Sequence, residues 1–313
     1  MFIHPGGEQK VSPTVGRKKI PSHLHGWYRC PWTTGGHGRK FLETAGEYVS
    51  ISDMTKHQTG SLQLWCEAEW DTIYRDLGPS PAATRTKIYP RHLHKFFLSA
   101  GELTPGTVNS DPFVFGKQFI YSNCRQNQLK KNNLGAGDIV LFGSIKEKHE
   151  NEPRCFLLDT VFVLSDQIFQ MDSGISIQKI RLECGDKISD LFEKAVLQPL
   201  LKSGSCSSAK NQPNDFTLYF GASYDCQYKG MYSFVPIQVP GLTKQSGSDC
   251  GYPRLIIDPG TLPRELNPVI HFGINPQSGI FCTGVPDSKK IWESLTQYAA
   301  QKGYAQGTLF HEP

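Results

Sequence analysis

Gly137-Asp-Ile-Val-Leu-Phe-Gly-Ser144 and Phe156-Leu-Leu-Asp-Thr-Val-Phe-Val-Leu164 are the stretches that decide the fold. Both are apolar at most positions, which is typical of a central strand buried on both faces or of a strand in a small barrel. The charged segment between them, residues 146–154, predicts an exposed hairpin loop. We therefore predict that two buried strands are joined by this hairpin.

Composition places the chain among globular proteins. It has 313 residues, 38% of them hydrophobic, and too many aromatic side chains for a disordered protein. No apolar run approaches the roughly 18 residues of a membrane span, and no signal peptide is recognisable. Nine cysteines stand singly without a Cys-x-x-Cys pair, which disfavours a zinc ribbon or a dithiol redox site. We expect a cytoplasmic protein without membrane contact.

Further elements complete the predicted fold. Helices are predicted around Ile188–Val196, with Asp186 as N-cap, and after Asp287 or Ser288, with Gly303 ending the second. Other strand patterns cover residues 61–70, 113–121, 216–220, 231–239 and 254–257. Because the order lacks a regular strand–helix alternation, we predict an α+β fold: a mixed, mainly antiparallel β-sheet or barrel-like core with a few flanking helices.

The segment 203–214 is rich in turn-forming residues and is the best candidate for a linker. It divides a β-rich domain, residues 23–202, from an α+β region, residues 215–313, that we expect to pack on the first. Residues 1–22 have little apolar pattern and predict a flexible N-terminal arm.

Charge is unevenly distributed. The chain carries +4 overall, yet the segment from Arg85 to Lys131 holds eight Lys or Arg residues and two acidic residues. Such a segment can form an anion-binding face, or its side chains can scatter over the folded surface.

Glu67-Ala-Glu69 is the first candidate site. On a strand the two carboxylates share one face, where they could hold a divalent cation or act as acid and base. The same pattern also fits the solvent face of an edge strand. No other cofactor is indicated.

Gly35-Gly-His-Gly-Arg-Lys40 is a glycine-rich cationic loop whose backbone N–H groups could approach an anion. It lacks the ending of a Walker loop, and an ordinary basic surface loop would look the same. His37 and Arg39 are its candidate functional pair.

Two His-x-His units, His23-Leu-His25 and His92-Leu-His94, could each place both imidazoles on one side if extended. Neither continues into a recognisable cluster of ligands, and a helical second unit would separate its histidines. We therefore predict no metal site at either unit.

Polar and aromatic residues alternate within the basic segment. Asn and Arg side chains read base edges, and aromatic rings stack on bases. The alternative is that the rings are core and the polar groups satisfy loop backbone. The candidate nucleic-acid-binding residues are Asn109, Asp111, Phe113, Lys117, Tyr121, Asn123, Arg125, Lys130 and Lys131, with Phe115 as a further stacking candidate.

Leu134-Gly-Ala-Gly-Asp138, followed by the two apolar strands, resembles the barrel hairpin of PUA-like folds and the nucleotide-modification-associated domains of bacteria and phages. The resemblance covers about 30 of the 313 residues. It implies recognition or processing of nucleotides, including modified bases.

Two functions compete, beside a third alternative in which the protein is purely structural or partner-binding and its basic stretch is an ordinary solvated face. The first is a nucleic-acid or nucleotide-handling protein. The second is a small-molecule hydrolase or transferase, acting on a nucleotide- or sugar-like substrate through Glu67, Glu69, His37 and Arg39. The sequence leaves open whether the protein is an enzyme.

Overall fold

The computed structural model describes residues 1–6, 14–15, 18–19, 39–51, 53, 56–67, 71–76, 92–96, 112–122, 134–146, 155–171, 175–198, 201, 216–238, 252–257, 280–281 and 287–312. In chain order its strands are β1 (Phe2–Gly6), β2 (Thr14–Val15), β3 (Lys18–Lys19), β4 (Arg39–Val49), β5 (His57–Glu67), β6 (Asp71–Asp76), β7 (His92–Phe96), β8 (Ile120–Ser122), β9 (Ile139–Lys146), β10 (Cys155–Met171), β11 (Phe216–Gly221), β12 (Val235–Ile237), β13 (Leu255–Ile257), β14 (Ile280–Phe281) and β15 (Ala305–Phe310). The helices are α1 (Ile177–Cys184), α2 (Asp190–Phe192) and α3 (Ser288–Gln301).

The β9–β10 pair is the centre of the first sheet. It is antiparallel, from Val163 opposite Ile139 to Cys155 opposite Lys146. Successive β9 residues face different cores: Val140 belongs to one buried apolar cluster and Leu141 to the other. This confirms the prediction of a strand buried on both faces.

The seven-stranded first sheet has the order β14-β1-β9-β10-β11-β8, and β13 also pairs with β10. All of its pairings are antiparallel except that of β1 with β9. Neither large sheet assembled from the described strands is a closed barrel. The α+β class with a mainly antiparallel sheet is therefore confirmed.

The six-stranded second sheet has the order β12-β15-β4-β7-β6. Its sixth strand, β5, also pairs with β4. The β4–β5 pair is antiparallel over its whole length, from Arg39 opposite Glu67 to Val49 opposite His57. One face of this pair is buried through Leu42, Leu62 and Leu64. This alternation matches the strand predicted at residues 61–70, whose last three residues lie outside the described part.

The prediction of a flexible arm is wrong for residues 1–6. Phe2–Gly6 forms β1 and runs parallel to β9, with Ile3 fully buried. The backbone hydrogen bonds to a central strand and the burial of Ile3 hold this segment in place. Farther along, β2 and β3 pair with each other.

The first helical region differs from its prediction in two details. α1, which the apolar spacing did not predict, starts at the Ser176 cap. The next helix is capped by Ser189 rather than Asp186, which lies in the 3-10 turn Gly185–Lys187. The predicted apolar face, including Ile188, is buried, and a π-helical turn, Glu193–Leu197, extends it.

The C-terminal helix is confirmed. Asp287 caps α3 by accepting a hydrogen bond from the Lys289 N–H, and Ile291 and Leu295 lie on its buried face. Gly303 follows the helix with a φ of +84°, the left-handed conformation that glycine adopts without strain. Within the described part of the chain, no helix combines the length and the apolar character that crossing a membrane requires.

Each large sheet combines strands from both sides of residues 203–214, a segment that lies outside the described residues. β11 and β13 join the first sheet, while β12 and β15 join the second. The strands that follow the segment therefore do not make a separate sheet of their own.

Candidate functional site at a buried arginine–aspartate cluster

The most chemically distinctive described group is a buried carboxylate held by two guanidinium groups. Arg254 donates from Nε to Asp159 Oδ1 and from Nη2 to Asp159 Oδ2, each at 2.9 Å. Arg39 Nε lies 2.8 Å from Asp159 Oδ2. All three side chains are at most 1% exposed, so water does not screen this arrangement as it screens surface pairs.

A β-bulge sets the position of Asp159. The β9–β10 register shifts between Leu158 and Thr160, so Asp159 is the extra residue on β10. A bulge re-aims the side chain that it carries. The bulge lies beside Gly143 of β9. The Gly143 carbonyl accepts a hydrogen bond from Arg39 Nη2 at 2.9 Å. Arg39 thereby joins β4 of the second sheet to β9 and β10 of the first.

Aromatic side chains surround the cluster. The Arg254 guanidinium lies 5.5 Å from the centroid of the Trp65 ring, a cation–π distance. Trp65 donates to the Tyr252 carbonyl at 3.2 Å, and Tyr252 hydroxyl donates to the Gln63 carbonyl. Burial raises the pKa of Tyr252 well above its usual value.

The sequence had indicated that Arg39 and Lys40 belong to a loop, and this prediction is wrong. Both belong to β4, and both are buried. His37 lies outside the described residues.

The candidate acidic pair is placed only in part. Glu67 ends β5 directly opposite Arg39. One residue of the proposed acidic pair and one residue of the proposed His37–Arg39 pair therefore lie at the same end of the β4–β5 pair. The Glu67 side chain and all of Glu69 lie outside the described part.

Of the residues proposed to contact nucleic acid, one lies on the surface, three lie in the core, and the others lie outside the described part. Lys117 is on the surface, where its Nζ is 2.6 Å from Asp186 Oδ2. This lysine lowers the pKa of Asp186. Phe113, Phe115 and Tyr121 are buried in one apolar cluster. Their rings belong to the core, which corrects their assignment as base-stacking rings, because no ring face is open. The positions outside the described residues are Asn109, Asp111, Asn123, Arg125, Lys130 and Lys131.

A second polar group surrounds His57. Its Nε2 lies 2.8 Å from Thr308 Oγ1 and 3.4 Å from Glu47 Oε2, and its ring stacks on Tyr224. Thr308 donates to the Glu47 carbonyl at 3.2 Å. Because both the hydroxyl and the carboxylate approach the same ring nitrogen, the carboxylate does not orient His57 as a base toward Thr308.

Asp159 and Arg254 were not among the functional residues predicted from the sequence. A single carboxylate inside the apolar run 156–164 was the available signal, since a charged residue in a buried strand requires a partner. The partner itself could not be identified, because Arg254 is 95 residues away along the chain.

Among the side chains that the structure describes, no group of three His, Cys, Asp or Glu residues is placed to hold a metal ion. The chain matches no protein-family model. Comparisons with curated proteins and with solved structures also gave no significant match.

Proposed function

We propose that the protein binds nucleic acid or a nucleotide, and that it does so through phosphate groups. The observation that carries the proposal is the basic segment from Arg85 to Lys131 in a chain of net charge only +4. Lys117 belongs to this segment, and its side chain is 73% exposed. A phosphate could compete with exposed Asp186 for this ammonium group, because solvent weakens the ion pair between them.

The burial of Phe113, Phe115 and Tyr121 narrows the proposed mode of binding. Without these rings as stacking platforms, the phosphate contacts provide most of the affinity and little base discrimination. Base recognition of the kind that the PUA-like resemblance implies would require residues of the segment that lie outside the described part, such as Asn109 and Asn123.

Salt-dependent binding tests this proposal. Fluorescence anisotropy of labelled single- and double-stranded DNA and RNA would be measured across a salt series. We expect the logarithm of the affinity to fall linearly with the logarithm of the salt concentration. For double-stranded DNA, replacing Lys130 and Lys131 by alanine would reduce the slope by about 0.9 for each phosphate that the protein no longer neutralises.

The chain offers a matched control. Lys289 and Lys290 are also adjacent, and both are exposed on α3, outside the basic segment. Their double alanine variant should keep the wild-type affinity and slope. An equal loss in both double variants would mean that total charge, not the segment, attracts nucleic acid. No binding at low salt would contradict the proposal altogether.

A small-molecule enzyme is the second candidate, and one observation favours it. Arg39 lies opposite Glu67 where two strands end, and the contacts with Asp159 and Gly143 fix the arginine side chain. A catalytic carboxylate beside a positioned cationic cluster suits hydrolysis or group transfer on an anionic substrate.

Release of inorganic phosphate from nucleoside triphosphates and sugar phosphates, followed against pH, tests the second candidate. We expect Glu67→Gln and Glu69→Gln to remove one limb of the pH–rate profile. Glu43→Gln is the control, because Glu43 is exposed on the same strand pair and accepts a hydrogen bond from Gln63. A profile that both Glu67 and Glu69 variants leave unchanged would rule out these carboxylates as acid or base.

A further inference from the structure

The strand β7 settles a question that the sequence left open. His92 and His94 belong to an extended segment, not to a helix. Alternate residues of a strand share one face, about 7 Å apart along the chain. Leu93, between them, occupies the other face and is buried. The two histidines therefore occupy one face of β7.

The neighbouring strand places a carboxylate residue on the same face. In the antiparallel β6–β7 pair, Asp76 is directly opposite His92, and Ile73 is opposite His94. Directly opposed residues have Cα atoms about 5 Å apart and occupy the same face of the sheet. The shift in register between Ile73 and Arg75 is what aligns Asp76 with His92.

The pairing of β7 with β4 shows that the two histidines are on the same face of the sheet as Leu42. β4 runs parallel to β7 with Leu42 beside His94, and Leu42 belongs to a buried apolar cluster. Carrying the parallel register back by two residues aligns Lys40, which is also buried, with His92. The side chains of His92, His94 and Asp76 lie outside the described part, and the register of the strands is what places these three residues on one face.

We propose that His92, His94 and Asp76 bind a divalent transition-metal ion. Two imidazoles and one carboxylate are a ligand set that such metals prefer, and three protein ligands leave positions open for water or substrate. The site is independent of the nucleic-acid proposal, since it involves neither the Lys130–Lys131 pair nor Lys117.

Cobalt and zinc titrations test the site. The full chain would be stripped of metal with a chelator, desalted and titrated with Co²⁺, followed by visible ligand-field absorption, and with Zn²⁺, followed by calorimetry. We expect one equivalent of metal to bind. His92→Gln, His94→Gln and Asp76→Asn should each weaken binding by at least about tenfold.

The other His-x-His unit provides a matched control, because His23 and His25 have the same spacing and the same intervening leucine. The double variant His23→Gln/His25→Gln should bind metal as the wild type does. Binding that is lost in this control, or that survives in His92→Gln/His94→Gln, overturns the proposal. If the β7 double variant does not fold, the single Asp76→Asn variant decides: unchanged affinity in a folded Asp76→Asn protein also overturns it.

Discussion

Asp159 is a single buried carboxylate that holds two arginine side chains from different parts of the chain. Replacing it by asparagine would leave Arg39 and Arg254 in place without their shared negative charge. Removing one partner of a buried ion pair costs about 3–5 kcal/mol, so we expect the free energy of unfolding to fall by that amount. Urea unfolding followed by circular dichroism measures the change.

The control for Asp159→Asn is Asp225→Asn, the same substitution at an exposed aspartate. It should change the free energy of unfolding by less than about 0.5 kcal/mol. If Asp159→Asn were equally mild, the cluster would contribute little to joining the two sheets.

Lys229 is the only residue other than glycine with a positive φ in the described part of the chain, at 52°. It precedes Gly230, at φ 84°, in a two-residue turn closed by hydrogen bonds between Tyr228 and Met231. A left-handed conformation strains a side-chain-bearing residue. We expect Lys229→Gly to raise the free energy of unfolding by about 0.5–1 kcal/mol in urea titrations.

The same substitution in a helix should have the opposite sign. Gln297 is exposed near the middle of α3, and Gln297→Gly should lower the free energy of unfolding by about 1 kcal/mol. Destabilisation at both positions would show that the turn at Lys229 is not under strain.

At the scale of elements, the close approach of β9 and β10 depends on Gly143. A Cβ atom there would lie 2.1 Å from the Leu157 carbonyl oxygen and 2.7 Å from Phe156 Cζ. Because the nearest atom is backbone, a side-chain rotation cannot relieve the clash. We expect Gly143→Ala to lower the free energy of unfolding by at least about 2 kcal/mol, measured by urea denaturation.

Gly135→Ala is the matched substitution just before the same strand. A Cβ at Gly135 would approach only Asp138 Oδ2, at 3.9 Å, an ordinary contact. This variant should unfold at nearly the wild-type urea concentration. Equal tolerance of alanine at both glycines would contradict the close strand approach described at Gly143.

At the scale of the whole molecule, strands from both halves of the chain share each large sheet. We expect a single protease cleavage at a recognition site inserted into residues 203–214 to leave the two fragments associated. Backbone hydrogen bonds between β10 and β11, and between β4 and β15, would hold them together. Gel filtration of the cleaved protein in buffer, and again in urea, measures the association.

The fragments should elute together in buffer and separately in urea. An uncleaved sample with the same insertion shows whether the inserted site itself disturbs the fold. Fragments that separate in buffer would show that residues 203–214 join two independent domains.

Local sequence determined the elements whose signals are short-range. The apolar runs at 139–142 and 156–164 have no polar face, which is typical of strands buried on both faces. The closing helix carries its cap, its apolar face and its terminal glycine within 17 consecutive positions. Such signals depend on a residue and its near neighbours, and they need no knowledge of the partner element.

Tertiary structure decided what those elements meet. In the sequence, Arg39 is typical of a basic loop. In the fold, β4 places it against Asp159, which is 120 residues later in the sequence. Phe113 and Tyr121 could have been binding surface or core until packing buried them. The histidines of β7 gained an aspartate neighbour only through strand register. Long-range pairing follows from the shape of the whole core, and a single strand does not encode it.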